Sequence, residues 1–234
     1  MQVVGGWRLR VTPGVRARRS SSVLPLEFDS GMPLEARFQV VDEFYGRWGE
    51  TVRYQISPAA QPADLDGVLA ERGFGVEAPV HVQTAALDDV LERAAGPGPG
   101  PIRVTEHPDH GWLATSAELF QRSDTATMRE RILDRIGPPV AYALLEPDGE
   151  PAAVGMGVLE RGWLGIFSMG TKPEFRRRGA ARAVLTALSR WATDRGAEHA
   201  YLQVEESNEP AHRLYEEAGF RTAYGYHYRS GPTK

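Results

Sequence analysis

"PEFRRRGAARAVLTALSRWA", residues 173 to 192, sets three consecutive arginines, Arg176, Arg177 and Arg178, before a small-residue turn that runs into an apolar-striped segment. From Ala180 the apolar positions fall at 180, 181, 184, 185, 188, 191 and 192, the one-sided spacing of a helix that buries one face. Backbone N–H groups of a turn that opens a helix point outward unpaired, and the helix dipole adds partial positive charge there. Gly179, Ala180 and Ala181 put little or no side chain in the way of an approaching diphosphate. Two plainer readings compete: a solvated basic surface and a nucleic-acid patch. Arginine is unfavourable beside the positive end of a helix dipole, which points to a bound anion. A nucleic-acid patch lacks interleaved aromatics here, and the chain carries a net charge of −4. A nucleotide P-loop would need G-x-x-x-x-G-K-[ST], which is absent.

Outward from this stretch, "HAYLQV" reads as a strand, and "PAHRLYEEAGF" as a short helix with Pro210 in its first turn and Gly219 as its stop. "RTAYGYHYR" closes the chain as a strand. Upstream, "VAYALLE", "AAVGMGVLE" and "GWLGIFSMGT" predict an antiparallel meander, preceded by helices over "LATSAELFQ" and "TATMRERILDRI". The order is helix, helix, three strands, helix, strand, helix, strand, an α/β fold with a mixed sheet. "AAGPGPGP", residues 94 to 101, marks a linker, because alternating Gly and Pro interrupt helix and strand alike. The first half repeats the closing pattern in weaker form, with "LEARFQVVDEFYGRWG" as a helix, "TVRYQIS" as a strand and "ADLDGVLAERGFG" as a helix. "LAERGF" stands against "YEEAGF" and "VRYQI" against "AYLQV". The expected organisation is therefore a degenerate unit over 1–95, a linker over 96–101 and a working unit over 102–234.

Composition narrows the chemistry. With 234 residues, 41% hydrophobic and 25% charged, a folded chain with its own core is expected. There is no cysteine, which excludes disulfides, thiolate nucleophiles and Cys-ligated zinc. "EHPDHGW" brings His107, Asp109 and His110 together, but on a Pro-containing loop without zinc spacing, so no metal is expected. Serines 20 to 22 have no nucleophile elbow. No run approaches the roughly 18 apolar residues of a membrane helix, and "MQVVGGWRLR" lacks the order of a signal peptide, so a cytoplasmic protein without membrane or nucleic-acid partners is expected. "GWRLRVTPGVRARRSSSVLP" is basic and reads either as a solvated hairpin, the favoured reading, or as part of an acceptor cleft.

The stretch from Gly165 to Phe220 resembles the cofactor-binding core of the general N-acetyltransferase (GNAT) superfamily, whose signature is [RQ]-x-x-G-x-[GA] after a strand and opening a helix. Arg176, Gly179 and Ala181 match it; "MGTKPEF" resembles the lead-in, and "NEPAHRLYEEAGF" resembles N-x-x-A-x-x-L-Y-x-x-x-G-F. The resemblance implies the GNAT acyl-CoA N-acyltransferase fold, here as two tandem units, and acetyl-CoA as cosubstrate without a metal. It implies that the backbone around Met169, Gly170 and Thr171 pairs with the pantetheine arm. The loop Arg176, Arg177, Arg178, Gly179, Ala180 and Ala181 would hold the pyrophosphate, and Asn208 and Ala211 would line the cofactor near the thioester. The family often has Gly where this chain has Arg177 and Ala181, so Arg177 must point away from the phosphates.

Acyl transfer to an amine needs a neutral amine, a polarised carbonyl and a protonated leaving thiolate. By the resemblance, a backbone N–H near Met169 or Gly170 would face the oxyanion, and the Tyr215 phenol would protonate the thiolate as general acid. Tyr215 also reads as a core residue, sharing a helical face with Ala211, Leu214 and Ala218, and Asn208 as a helix cap. Glu205, after the strand that faces the cofactor, is the candidate base, accepting the amine proton directly or through water; a solvated strand-end carboxylate is the favoured plain reading, and other acids such as Glu160 stay open. In the first half Pro62 stands near the place of Asn208 and Leu69 at that of Tyr215, so that unit is expected to bind no cofactor. The expected activity is acetyl transfer to a primary amine of a small molecule or peptide by direct attack in a ternary complex, in a monomer or homodimer. The alternatives are a non-catalytic acyl-CoA sensor or partner-binding module, and an acyltransferase using another acyl-CoA or acceptor.

Overall fold

A computed structural model describes residues 1–12, 17–27, 31–120, 133 and 135–232. The chain forms two compact units, one of Met1–His81, Glu205–Ser207 and Tyr224–Lys234, the other of Val82–Val204 and Asn208–Ala223. The helix expected over "TATMRERILDRI" lies almost wholly outside the described residues.

The first unit opens with an antiparallel meander of β1 (Gln2–Val4), β2 (Trp7–Leu9) and β3 (Val23–Leu24). α1 (Leu34–Trp48) follows and stops at Gly49, whose φ of 65° is the left-handed geometry that ends helices. β4 (Arg53–Ile56) then pairs in parallel with β3, and α2 (Leu65–Glu71) and the start of β5 (Gly75–Ala86) complete the run. The strand Arg221–Ser230 adds antiparallel to β4, from His227↔Ile56 to Ser230↔Arg53. Trp7, Phe38 and Tyr54 meet ring to ring at 5.7 to 6.1 Å in the core. The solvated hairpin expected around residues 6 to 25 is corrected here: Trp7, Leu9 and Val23 are fully buried, because their alternation points apolar side chains onto α1 while Arg8 faces out.

The second unit takes the end of β5, then α3 (Leu87–Arg93), β6 (Ile102–Thr105), α4 (His110–Leu119), and the meander β7 (Val140–Leu145), β8 (Ala153–Glu160) and β9 (Trp163–Thr171). α5 (Ala180–Thr193), β10 (His199–Glu205), α6 (Glu209–Glu217) and the first residues of β11 (Arg221–Ser230) follow. Its strands run in the order β10-β9-β8-β7-β6; β10 is parallel to β9 and the other pairs are antiparallel, so the sheet is mixed. The apolar stripe of α5 buries Val184, Leu185, Leu188 and Ala192 completely against this sheet. That approach depends on Gly155, where a Cβ would stand 2.6 Å from Val184 Cγ1.

Contacts divide the chain elsewhere than composition does. The Ala94 carbonyl accepts from Thr186 Oγ1 on α5 at 3.0 Å, and the Pro101 carbonyl from the Glu146 N–H at 3.0 Å. The Gly/Pro stretch is thus held inside the second unit, and α3, placed in the first unit by the expected boundary at 95, belongs to the second. Conversely, most of β11 belongs to the first.

Candidate active site

The site is built where β9 outruns its partner. The ladder with β10 extends from Trp163↔His199 to Ile166↔Leu202, and β9 continues to Thr171 beyond its last pair. On the other edge the register with β8 slips between Val154↔Gly170 and Met156↔Phe167, so Ser168 and Met169 together face Gly155. Ser168 takes a φ of 49° in this bulge, a backbone kink that re-aims the strand.

After a short 3₁₀ turn (Pro173–Phe175) the arginine loop leads into α5. Arg176 is tied back by its Nε–H, which donates to the Thr171 carbonyl at 3.3 Å. Arg177 sits at φ 58° and Gly179 at φ 81°, two left-handed residues flanking Arg178. This resolves the departure at Arg177: the position needs the left-handed region, which glycine enters freely and arginine at a cost. A Cβ on Gly179 would meet nothing within 4 Å, so the need for glycine there is conformational and the space outside its Cα is open. The first helical bond of α5 runs from the Ala183 N–H to the Gly179 carbonyl at 2.9 Å, which leaves the N–H groups of Ala180, Ala181 and Arg182 ahead of it. The first turn holds no acidic side chain and no side-chain cap.

The third wall is α6. Asn208 caps it, its side chain accepting from the Ala211 N–H at 3.3 Å, so the expected cap is present. Tyr215 is 7% exposed and packs on Phe220 at 5.8 Å between ring centres. Burial pushes its phenol up to about 12, which keeps the proton on oxygen through the physiological range.

These walls enclose a cavity of about 990 Å³ lined by Met169, Gly170 and Thr171 from β9, by Arg176, Arg177, Gly179, Ala180 and Ala181, and by Asn208, Ala211 and Tyr215. Two residues expected here lie elsewhere. Arg178 is turned onto the Phe175 ring at 5.9 Å and does not line the cavity. Glu205 belongs to the first unit, where its carboxylate pairs with Arg18 at 3.1 Å and its side chain is 53% exposed. Leu119 and Phe120 at the end of α4, packed against Gly170, and the rim residues Arg182, Arg213 and Glu217 line the cavity without having been anticipated. Arg182 and Glu217 do follow from the helical stripes, as the outward positions next to the motif. Asp109 caps α4 by accepting from the Trp112 N–H at 2.8 Å. Among the described residues no group of three or more metal-ligating side chains occurs, and no helix is long and apolar enough to cross a membrane.

Solved structures share this architecture. A GCN5-related N-acetyltransferase from Kribbella flavida superposes with a TM-score of 0.69 at 17% identity, over 92% of this chain and 82% of that one. A tandem GNAT protein from the clavulanic acid biosynthesis pathway gives 0.66 at 14% identity, over 91% and 76%. In sequence, the chain is 28% identical to the Bacillus subtilis protein called "Uncharacterized N-acetyltransferase YobR" over 231 residues, 97% of this chain and 90% of that protein. Residues 1–229 match the family described as "Probable histone acetyltransferase Rv0428c C-terminal". The chain therefore belongs to that acetyltransferase family, and it has the fold of GNAT N-acetyltransferases.

Proposed function

We propose that the chain moves an acetyl group from acetyl-CoA to a primary amine by direct attack in a ternary complex. One observation carries the reading: an open helix start, a strand end that reaches past its ladder with β10 and a buried, protonated phenol line a single cavity. The fit is physical. Open space outside Gly179 and the leading N–H groups of α5 suit a diphosphate, and the β10-side edge of β9 at Met169 to Thr171, beyond the ladder that ends at Ile166↔Leu202, suits an amide-bearing arm that pairs as a strand would.

Acetyl-CoA supplies the activated thioester. The chain's residues do the rest. Arg176 fixes the loop to β9, and Gly179, Ala180 and Ala181 present their N–H groups to the pyrophosphate. A backbone N–H of Met169 or Gly170, at the bulge, stabilises the charge that develops on the carbonyl oxygen. The C–N bond forms as the C–S bond breaks; Tyr215 gives its proton to the leaving sulfur, the attacking nitrogen releases one of its protons to water, and the phenolate recovers a proton from solvent. The ion pair of Glu205 with Arg18 does not support a role as base, so the amine is taken to arrive neutral. The acceptor is an amine of a small molecule or peptide; since the family description names a histone acetyltransferase, lysine-bearing basic peptides belong in the first acceptor screen.

Tyr215→Phe tests the mechanism. Turnover should fall about 100-fold, about 2.7 kcal/mol in the barrier, while the Kd for acetyl-CoA stays within about twofold. Unchanged turnover with a productive acceptor removes the phenol from the reaction.

A further inference from the structure

The resemblance to known acetyltransferases accounts for the loop and the backbone, but not for three charged side chains of α5 and α6 that line the cavity. Arg182, in the first turn of α5, and Arg213 and Glu217, one turn apart on α6, all line it. Arg182 Nη2 reaches Glu217 Oε2 at 2.9 Å, with side chains 42% and 64% exposed. Among the described residues Arg213 makes a loose ion pair with Glu209, at 3.7 Å and with both side chains more than two-thirds exposed. Two arginines of the preceding loop are engaged otherwise: Arg176 holds the Thr171 carbonyl, and Arg178 lies over Phe175.

Resting on the acetyl-CoA reading, we infer that Arg182 and Arg213 form a second phosphate site, for the 3′-phosphate of the cofactor's ribose, and that Glu217 is a built-in competitor which this phosphate displaces from Arg182. The chemistry favours the exchange. A phosphate monoester carries close to two negative charges and three acceptor oxygens against one charge and two oxygens for the carboxylate, and guanidinium groups match it bidentately. An exposed Arg–Glu pair is worth little on its own, so giving it up costs little. Two arginines from two helices can reach one phosphate together, which neither helix start nor backbone cradle provides. The site also gives the enzyme a means to reject nucleotides that lack the 3′-phosphate.

A simple clasp between α5 and α6 would use the same ion pair, and the two readings differ in sign. If the pair is a clasp, Arg182→Gln and Glu217→Gln both break it and move cofactor affinity the same way. If it is a phosphate site with a competitor, they move it in opposite directions. The experiment is calorimetric titration of the wild type, Arg182→Gln, Arg213→Gln and Glu217→Gln with acetyl-CoA and with 3′-dephospho-acetyl-CoA. The wild type should prefer acetyl-CoA by about tenfold. Arg182→Gln and Arg213→Gln should each erode that preference, and Glu217→Gln should tighten acetyl-CoA about threefold while leaving the dephospho form almost unchanged. Equal wild-type affinity for the two nucleotides, or weaker binding in both Arg182→Gln and Glu217→Gln, overturns the inference while leaving the acetyl-CoA reading intact. Binding of neither nucleotide by the wild type overturns that reading, and the inference with it.

Discussion

α1 and α5 hold the same place in their units and begin in opposite ways. Each follows three antiparallel strands and precedes a strand parallel to the third, β4 beside β3 and β10 beside β9. In α5 the first turn has no acid and no cap, and its start opens on the cavity. α1 likewise has no side-chain cap, but its start carries a different set of charges. Glu35 sits in the first turn, where a negative charge suits the dipole, and the fully buried Arg37 donates to the carbonyls of Met32 and Gly5 beneath it, with its guanidinium 5.6 Å from the Trp7 ring. The closing helices differ in parallel: α6 carries the cavity-lining Tyr215, and α2 carries Leu69, completely buried. On the proposed reading, one topology serves as an anion site where its helix start opens on a cavity without an acidic side chain, and as plain structure where an acid and a buried arginine stand at the same place.

The contrast can be broken most forcefully at Arg37. Arg37→Ala should destabilise the protein by about 3–4 kcal/mol in urea unfolding, since it strands two carbonyls and leaves a void against Trp7. A loss under about 1 kcal/mol would mean that the residue is not the internal plug of this unit. Arg177 sharpens the other side. At φ 58° it carries about 1 kcal/mol of backbone cost that glycine would not, partly offset by glycine's freer unfolded chain. Arg177→Gly should therefore raise the melting temperature slightly and leave acetyl-CoA affinity within about twofold; a tenfold loss would make Arg177 a phosphate ligand. The smallest effect concerns pH in the first unit. Asp66 accepts from Arg229 and from His227 and is held down at about 2 by these bonds, Arg229 first, from an ordinary 3.8. Its folded value lies below the unfolded one, so the stability it adds is present above about pH 4 and is lost as pH falls toward 2. With the Asp66 side chain 41% exposed, screening keeps this to about 1 kcal/mol or less. Asp66→Asn should flatten that part of an acid-unfolding profile, and an unaltered profile would remove the pair from the account.

The cradle was legible in the sequence because its causes are local. A glycine before an apolar stripe, with alanines after it, determines backbone geometry over a few residues, and the meander and both closing helices announce themselves by periodicity and stop signals. The elements that escaped lack such signals. α3 starts straight after β5 at Ala86, which offers no side-chain cap, and β5 itself is interrupted by Ala78 at φ 46° and by Pro79, which blur its alternation. The Gly/Pro stretch reads as a linker because composition reports flexibility and not contacts such as that of Ala94 with Thr186. Leu119 and Phe120 reach the cavity through the packing of α4 on Gly170, a long-range contact that no local pattern encodes. Glu205 shows the same limit from the other direction: its strand position is plain in sequence, while its partner Arg18 lies far away along the chain.

The most direct test of the contrast between the starts of α5 and α1 is the number of acetyl-CoA molecules bound per chain, measured by calorimetry on the wild type and on Gly179→Glu. One site per chain is predicted, abolished by Gly179→Glu, because that position needs φ 81° and the new carboxylate would stand in the open space meant for the diphosphate. Two sites per chain, or one site that survives Gly179→Glu, would contradict it.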